Sequence, residues 1–300
     1  MTRSDSVERP SAQRQQSRPA RDRAVEVTHS ATVHSSELLV SVLGEVQCWV
    51  QGRAVSGLTR TVKRIVVVLA GWPGSAIHRD RIIMAVWGSA VPSDAHNSLQ
   101  GHIATLRRIV GREWIETTED GYALIVDREA IDAERFAHLA ERGLRSVNLG
   151  DHALAHPLLM EARDLWRGTP YQDVEDPELV ARRERLAEVY EGLREAILEC
   201  RLAGAGSVYE AAEIVPWAKE EVARAPLRER RYEILMEALI RADRPAEAID
   251  AYKLAASYLL EHGGVRPGPA LLDAYRRALA VRSDSREVHR MPAVMSRGSS

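Results

Sequence analysis

Apolar residues recur at helical spacing between Ser93 and Gly111, and the chain then changes at once to a strand-like pattern. The intervals between them are 4, 3 and 4 residues, which gives the predicted helix one apolar stripe. The stripe consists of Leu99, Ile103, Leu106 and Val110. The next segment, WIETTEDGYALIV, predicts a tight two-stranded hairpin with Gly121 at a turn position that needs positive φ. A helix that buries one stripe beside such a hairpin is the arrangement of a winged helix.

The residues before this helix predict the rest of one small domain. Apolar Val46, Cys48 and Val50 alternate with Gln47, Trp49 and Gln51, which indicates a small antiparallel sheet. Two helices follow, one within TRTVKRIVVVLAGWPG and one within HRDRIIMAVWG, and Ser93 or Asp94 is the expected N-cap of the third. We therefore assign residues 37–127 to a winged helix-turn-helix domain.

The pattern from residue 128 to residue 281 is helical, with turn residues at regular distances. The expected breaks are Gly150-Asp151, Gly168 to Pro177, Gly204 to Gly206, Ala225-Pro226, Asp243 to Pro245 and Gly263 to Pro269. Helix pairs of this size predict an all-α, tetratricopeptide-like array. The clearest copy has Tyr232, Leu235, Met236, Leu239, Ala248, Tyr252 and Ala255, and a weaker copy has Leu139, Gly143, Ala155, Leu159 and Ala162, with Pro157 early in its second helix. The predicted fold class is mainly α with small β-sheets.

Composition limits what the remaining regions can do. Residues 1–36 and 282–300 have few large apolar side chains, so we expect a disordered N-terminal arm and a disordered tail. Cys48 and Cys200 lack metal-ligand spacing and are expected to be buried apolar residues. The sequence contains no apolar run near the ~20 residues of a membrane span and no signal peptide. We therefore expect a cytoplasmic protein without membrane contact.

The polar face of the predicted third helix carries the candidate binding residues. Its centre has short side chains, which would let the helix enter the major groove of DNA. Asn97 and Gln100 suit adenine edges, and Arg108 suits guanine. Arg107 and Arg112 are better placed for phosphates. The complete candidate set is Asn97, Gln100, Gly101, His102, Thr105, Arg107, Arg108, Arg112 and, in the hairpin, Thr118.

An ordinary surface helix with solvated arginines is the alternative interpretation of this face. Residues 37–127 contain nine basic and nine acidic residues, a net charge of zero, whereas many DNA-binding domains are clearly basic. Glu119 and Asp120 at the hairpin tip would also repel phosphate. Five basic residues are nevertheless expected to cluster near the helix starts: Arg60, Lys63, Arg64, Arg79 and Arg81. Trp87 and Tyr122 are expected to be core aromatics rather than base-stacking groups.

Catalytic motifs are missing from the sequence. None of the lysines follows a glycine, so there is no phosphate-binding GxxxxGK[ST] loop, and HExxH, CxxC and GxSxG do not occur. The histidines are scattered, and His78, His96 and His102 are expected to be exposed polar residues rather than ligands. We therefore expect neither enzyme activity nor a metal or cofactor.

Several short motifs occur in a characteristic order along the chain. They are AVWG at 85–88, NSLQGHIATLRRIVG at 97–111, DGYAL at 120–124, DLWRG at 164–168, PLRER at 226–230, RPAEAIDAY at 244–252 and VRPGPAL at 265–271. Over residues 38–281 this order resembles the SARP family of bacterial transcriptional activators. The resemblance implies an OmpR-type winged helix at 37–127 followed by a bacterial transcriptional activation domain of tetratricopeptide-like helices at 128–281.

The resemblance also implies a function. Such a regulator binds direct repeats in double-stranded promoter DNA at the nucleoid, contacts RNA polymerase and its σ factor, and controls a secondary-metabolite (antibiotic) biosynthetic gene cluster. The implied DNA-facing positions are Asn97, Gly101, Thr105 and Arg108, with His102 and Arg107 toward the backbone. Family members commonly have a basic residue where Thr105 stands and an Arg-Pro-rich wing where Thr118 to Asp120 stand.

Two hypotheses follow for the whole chain. The leading one is a sequence-specific transcriptional activator that inserts the third helix into the major groove. Residues 128–281 carry 22 basic and 28 acidic residues, a net charge of −6, which suits a protein partner better than DNA. The competing hypothesis is an adaptor whose winged helix serves dimerisation or partner binding. Homo-oligomerisation on DNA stays open under both.

Overall fold

The structure, a computed structural model, describes residues 38–288. These residues form two small antiparallel sheets and three helices, followed by a series of helices that pack on their neighbours in the chain. The mainly α fold class with small β-sheets is therefore confirmed. The expected N-terminal arm, residues 1–36, and the end of the expected tail, from residue 289, lie outside the described residues.

The N-terminal part has the elements of a winged helix. Its first sheet consists of β1 (Leu38–Ser41), β2 (Gln47–Val50) and β3 (Arg53–Ala54), in that order. Its helices are α1 (Arg60–Ala70), α2 (Arg79–Trp87) and α3 (Ala95–Val110). Its second sheet consists of β4 (Ile77–His78), β5 (Ile115–Thr117) and β6 (Gly121–Leu124), with β6 in the centre. The predicted order of sheet, three helices and closing hairpin is confirmed.

Helix α1 forms despite a run of β-branched residues. The Thr59 side chain caps it by accepting the amide of Val62 at 3.4 Å. Residues 66–68 are all valine and all buried, so tertiary packing outweighs the modest loss of χ1 freedom that valine suffers in a helix. The helix stops at Gly71, where an added Cβ would press on the Leu179 side chain.

Helix α3 is held by the apolar stripe that its spacing predicts. Leu99, Ile103, Leu106 and Val110 are all buried in the core shared with α1. Asp94 occupies the N-cap position, but its side chain makes no capping bond and instead accepts from Asn97 Nδ2 at 2.7 Å. The helix ends at Gly111, whose φ of +115° favours glycine.

The wing differs from the prediction in two respects. It is a three-stranded sheet rather than a two-stranded hairpin, because β4 pairs with β6 through Ile77↔Tyr122 and His78↔Gly121. Gly121 does not have the expected positive φ. Glycine is required there because a Cβ would overlap the carbonyl oxygen of Ile77 on the adjacent strand.

The remaining helices begin and end where turn residues predict. They are α4 (Asp132–Asn148), α5 (His152–Leu165), α6 (Pro177–Gly204), α7 (Val208–Arg224), α8 (Glu229–Arg241), α9 (Pro245–Tyr258) and α10 (Pro269–Val288). A 3-10 turn precedes α4 at Arg128–Ala130, and a π-helical turn follows α9 at Leu259–Gly263. Helix α10 continues past residue 281, where the helical pattern was expected to end.

Small residues allow the close helix packing expected of tetratricopeptide-like pairs. Gly143 of α4 lies against Leu159 of α5, and a Cβ at residue 143 would come within 2.6 Å of the Leu159 Cδ2 atom. Ala155 and Ala162 are completely buried on the same face of α5. Pro157 lies inside α5, as expected. The two predicted repeat copies thus correspond to the pairs α4 with α5 and α8 with α9.

One apolar core extends from the winged helix into α4, α5 and α6 as far as Cys200, and a second core fills α7 to α10 and includes Leu198 and Leu202 of α6. At the first junction, Asp132 accepts the amides of Val42 at 2.7 Å and Leu43 at 3.1 Å. Burial holds the pKa of Asp132 above its usual value, although these two amides oppose the shift. The amides of Arg167 and Tyr171 donate in return to the carbonyls of Leu43 and Val42.

A second junction connects α2 with the start of α6. Arg81 Nε and Nη2 donate to the two carboxylate oxygens of Asp176 at 2.9 and 3.0 Å. The same carboxylate caps α6 by accepting the amides of Glu178 and Leu179. The Arg81 guanidinium also lies over the Trp72 ring at 4.0 Å. The winged helix and α4 to α6 therefore pack as one body, with α2 tied directly to the helical part.

A buried arginine joins α6 to the second core. Arg231 of α8 is 1% exposed, and its guanidinium pairs with the carboxylates of Glu191, Glu195 and Glu221. Arg194 of α6 also pairs with Glu221. The contact between these helices is thus ionic as well as apolar, and it depends on every charge retaining its partner.

Candidate nucleic-acid interface

Helix α3 turns the predicted polar face toward solvent. We call this the outward face and define it by Asn97, Gln100, Gly101, Ala104, Thr105 and Arg108. All are exposed except Thr105, which is half-buried. Because the apolar stripe on the opposite side is fully buried, the helix cannot rotate to present a different face.

The centre of the outward face is short and apolar. Gly101 has open space above it, since an added Cβ would meet no atom within 4 Å. The Thr105 hydroxyl donates to the Gly101 carbonyl oxygen at 3.0 Å, so it is used inside the helix. Ala104 contributes a methyl group. A flat, small centre of this kind permits close approach of another surface to the helix backbone.

Polar side chains lie on either side of this centre. Asn97 donates through Nδ2 to Asp94 near the start of α3, which leaves its side-chain oxygen as an acceptor. Gln100 is exposed and has no hydrogen-bond partner within residues 38–288. His102 is half-buried rather than exposed as predicted, because its ring packs beside Trp87 with the two ring centroids 6.0 Å apart. Trp87 thus supports the helix, in agreement with its expected core role.

Arg107 is directed at the wing rather than at open solvent. Its Nε and Nη2 atoms donate to the Ile115 carbonyl oxygen at 3.0 and 2.7 Å, and Nη2 also donates to Thr117 Oγ1 at 2.7 Å. The guanidinium lies 5.9 Å from the ring centroid of Tyr122, which is buried as expected. Arg107 therefore positions the hairpin against α3, a role that the sequence did not indicate.

Arg108 and Arg112 are exposed and have no hydrogen-bond or ion-pair partner in the part of the chain that the structure describes. Arg108 lies in the last turn of α3 and Arg112 follows its C-cap Gly111, where the helix dipole favours positive charge. An unpaired guanidinium keeps all its donors free for an anion. These two side chains are the cationic groups that α3 offers to a partner.

The basic residues near the helix starts have partners within the described part of the chain. Lys63 pairs with Glu45, and Arg64 donates to the Val86 carbonyl. Arg60 lies 3.8 Å from Asp173, and Arg81 is held by Asp176. Long basic side chains bind partners that are far away in sequence, so the sequence alone does not predict these partners.

The wing tip is tied to α2 by Arg79. Its guanidinium donates to the carbonyl oxygens of Thr118 and Glu119 at 3.3 and 2.7 Å, and its amide donates to that of Asp120. The Thr118 hydroxyl accepts the amide of Gly121 at 3.1 Å. The acidic carboxylates at the tip remain exposed. The structure thus places Thr118 beside Arg79 of α2, and its hydroxyl oxygen accepts within the turn.

Histidine and cysteine side chains also lie in regions away from α3. Within residues 38–288 there is no group of three or more histidine, cysteine or acidic side chains that could hold a metal. A cavity of about 680 Å³ near the start of α5 contains His152, His156 and Cys200. Burial raises the pKa of Cys200 to about 11 and that of Cys48 to about 12, and both thiols are buried as predicted.

None of the helices described is long and apolar enough to cross a bilayer.

Family comparisons agree with this geometry. Residues 53–124 match the family described as "Transcriptional regulatory protein, C terminal", and residues 131–279 match "Bacterial transcriptional activator domain". The boundary between the two matches falls beside Asp132, at the junction of the winged helix with α4.

The chain is similar to regulatory proteins of different lengths. The chain is 31% identical over 252 residues to regulatory protein AfsR of Streptomyces griseus, a match that covers 84% of this chain and 26% of AfsR. It is 28% identical over 244 residues to regulatory protein DnrI of Streptomyces peucetius, covering 77% of this chain and 88% of DnrI. The chain thus spans about a quarter of AfsR and most of DnrI.

A solved structure has the same fold. Mycobacterium tuberculosis EmbR in complex with a low affinity phosphopeptide superposes with a TM-score of 0.68 at 23% identity. The match covers 84% of this chain and 69% of EmbR. At this identity the similarity concerns the fold, and it includes both the winged helix and the helices that follow.

Proposed function

Because this chain belongs to the SARP family of bacterial transcriptional regulators, we propose that it activates transcription by inserting α3 into the major groove of promoter DNA. The observation that carries the proposal is the outward face of α3. It combines a small centre with polar groups, and at its end lie Arg108 and Arg112, which have no partner among residues 38–288. The neighbouring basic side chains, by contrast, are paired within the protein.

Each candidate residue has a distinct proposed role. Asn97 and Gln100 contact adenine edges, and Arg108 contacts guanine. Arg112 contacts a phosphate, as does the part of Arg107 that the wing leaves free. Gly101, His102 and Thr118 shape the surface rather than donate to bases. The proposed target is a pair of direct repeats, which two copies of the chain occupy on one face of the DNA.

The helical part has the charge of a protein-binding surface. Residues 128–281 have a net charge of −6, which disfavours contact with DNA phosphates. We propose that this part recruits RNA polymerase through its σ factor while α3 holds the promoter, so that the protein acts at the chromosome. The proposed pathway is a secondary-metabolite (antibiotic) gene cluster.

Titration of fluorescent DNA tests the binding step. The probe is the duplex that the full chain enriches most strongly from a randomised library, and the reference is the same duplex scrambled. Arg112→Ala should weaken binding to both probes equally and make the negative slope of log affinity against log salt shallower by about 1, since one phosphate contact is lost. Asn97→Ala should weaken the selected probe more than the scrambled one.

Arg142→Ala is the matched control. Arg142 is exposed on α4 and has no hydrogen-bond or ion-pair partner within the described residues, so its removal deletes the same charge far from α3. Its affinity and salt slope should equal those of the wild type. If Arg112→Ala and Arg142→Ala behave alike, the assignment of α3 to DNA is wrong.

A second function has a specific observation in its favour. The winged-helix residues 37–127 are neutral overall, and the Glu119 and Asp120 carboxylates are exposed at the wing tip. An adaptor that uses this part for a protein partner would show no steep loss of DNA affinity with salt, because few counterions would be released. The salt titration therefore separates the two functions directly.

A further inference from the structure

Thr105 lies at the centre of the outward face of α3. Its hydroxyl is turned back along α3 and donates to the Gly101 carbonyl oxygen at 3.0 Å. That bond uses the single hydroxyl proton of the side chain, so Thr105 has no donor left for a partner. Its oxygen can still accept a hydrogen bond, and the Cγ2 methyl is its other terminal group.

Gly101 and Ala104, the central neighbours of Thr105 on the outward face, have no polar side-chain atoms. Gly101 leaves open space one turn before it, and Ala104 adds another methyl. Gln100 and Arg108 flank this apolar patch with free donors. A partner that fits must therefore present an apolar group at the centre and hydrogen-bonding groups on both sides.

One base edge in the major groove has this character. Thymine carries a C5 methyl group, whereas guanine, adenine and cytosine present only donors or acceptors there. We propose that Thr105, beside the open space above Gly101, selects a thymine through contact between the two methyl groups. This inference rests on the proposed binding of α3 to DNA and adds the base that the centre of the helix recognises.

Replacement of thymine by uracil tests the contact, because uracil lacks that methyl group and pairs identically. Each thymine of the selected duplex is changed to uracil in turn, and the affinity of the full chain is measured. At one position in each half-site the wild type should bind the thymine duplex about fourfold more tightly than the uracil duplex, as expected for burial of a methyl group.

Two variants of Thr105 separate the methyl from the hydroxyl. Thr105→Val keeps the methyl and should retain the preference for thymine. Thr105→Ser keeps the hydroxyl and should bind the thymine and uracil duplexes equally. Because each result is a ratio measured on one protein sample, a change in the folded fraction of a variant cancels. At the same position, 5-methylcytosine should be preferred over cytosine by the wild type and not by Thr105→Ser.

Three results would overturn the inference. They are the absence of any uracil-sensitive position, a sensitive position that Thr105→Ser leaves sensitive, and loss of the preference in Thr105→Val. Failure of the wild type to enrich any duplex would instead refute the DNA-binding function itself. The two failures are therefore distinguishable.

Discussion

Replacement of Gly101 by alanine should make the protein more stable and its binding to DNA weaker. Gly101 lies inside α3, its φ is not positive, and an added Cβ would meet no atom within 4 Å. The folded state can therefore accept the methyl without strain. Alanine in a helix interior is favoured over glycine by about 1 kcal/mol. For a protein of this size, that gain raises the melting temperature by ~2–4 °C.

The effect on DNA binding has the opposite sign because the same space is proposed to admit a base edge. A methyl at position 101 would hold the helix backbone away from the groove and disturb the contacts beside it. The loss of one good contact with a base is worth ~1–3 kcal/mol, so the affinity for the selected duplex should fall at least about fivefold. A gain in stability combined with a loss in affinity cannot come from misfolding.

Gly192→Ala provides the matched control. Gly192 lies inside α6, and a Cβ there would also meet no atom within 4 Å. Thermal unfolding followed by circular dichroism should show a similar gain in both variants, while fluorescence anisotropy should show weaker DNA binding only for Gly101→Ala. Equal DNA affinity in the two variants would refute the proposed position of α3 in the groove. Equal melting temperatures of Gly101→Ala and wild type would refute the claim of open space.

Three further predictions concern the framework that carries α3. Burial alone raises the pKa of Asp176, but Arg81 and two helix amides outweigh it and hold this pKa below its usual value. The ionised carboxylate therefore stabilises the fold above the unfolded-state pKa, and this stability is lost as the pH falls through the folded-state pKa. Urea unfolding from pH 6 to pH 3 should show a free energy of unfolding that changes less with pH for Asp176→Asn than for wild type. Gly121→Ala should lower the free energy of unfolding by about 3 kcal/mol or more, because its Cβ overlaps the Ile77 carbonyl; an unchanged urea midpoint would contradict this reason. Arg231→Leu should cost ~3–5 kcal/mol by leaving buried carboxylates unpaired, whereas the intrinsic DNA affinity of the folded fraction should not change; a variant as stable as wild type would show that the ionic contact is dispensable.

Local patterns predicted the elements well. The apolar stripe of α3 and the glycine and proline breaks between the later helices depend on neighbours within a few residues, which is the distance over which periodicity and capping act. Strand β4 was missed because its two residues are too short to show alternation. Gly121 was predicted on the grounds of a positive φ, but position 121 requires glycine because a Cβ would overlap the adjacent strand at Ile77.

Long-range partners were beyond local patterns. Arg81 reaches Asp176, which lies 95 residues further along the chain, and Asp132 reaches back 90 residues to Val42. The number of basic residues near the helix starts therefore overestimates the positive charge that is available to bind DNA. The exposed face of α3 could be predicted from the sequence, because burial of the apolar stripe leaves the opposite side of the helix in solvent. Its detailed chemistry, above all the internal bond of the Thr105 hydroxyl, required the structure.

The continuous core between the winged helix and α4 to α6 has a consequence for promoter architecture. A helical domain joined to the winged helix by a flexible linker could contact RNA polymerase from many angles. A helical domain that shares a core with the winged helix instead has one fixed direction around the DNA axis. B-DNA turns once in about 10.5 bp, so each added base pair between the site and the promoter rotates the mounted helices by about 34°. Activation should consequently oscillate with the helical phase of the spacer, and fall lowest when half a turn is inserted.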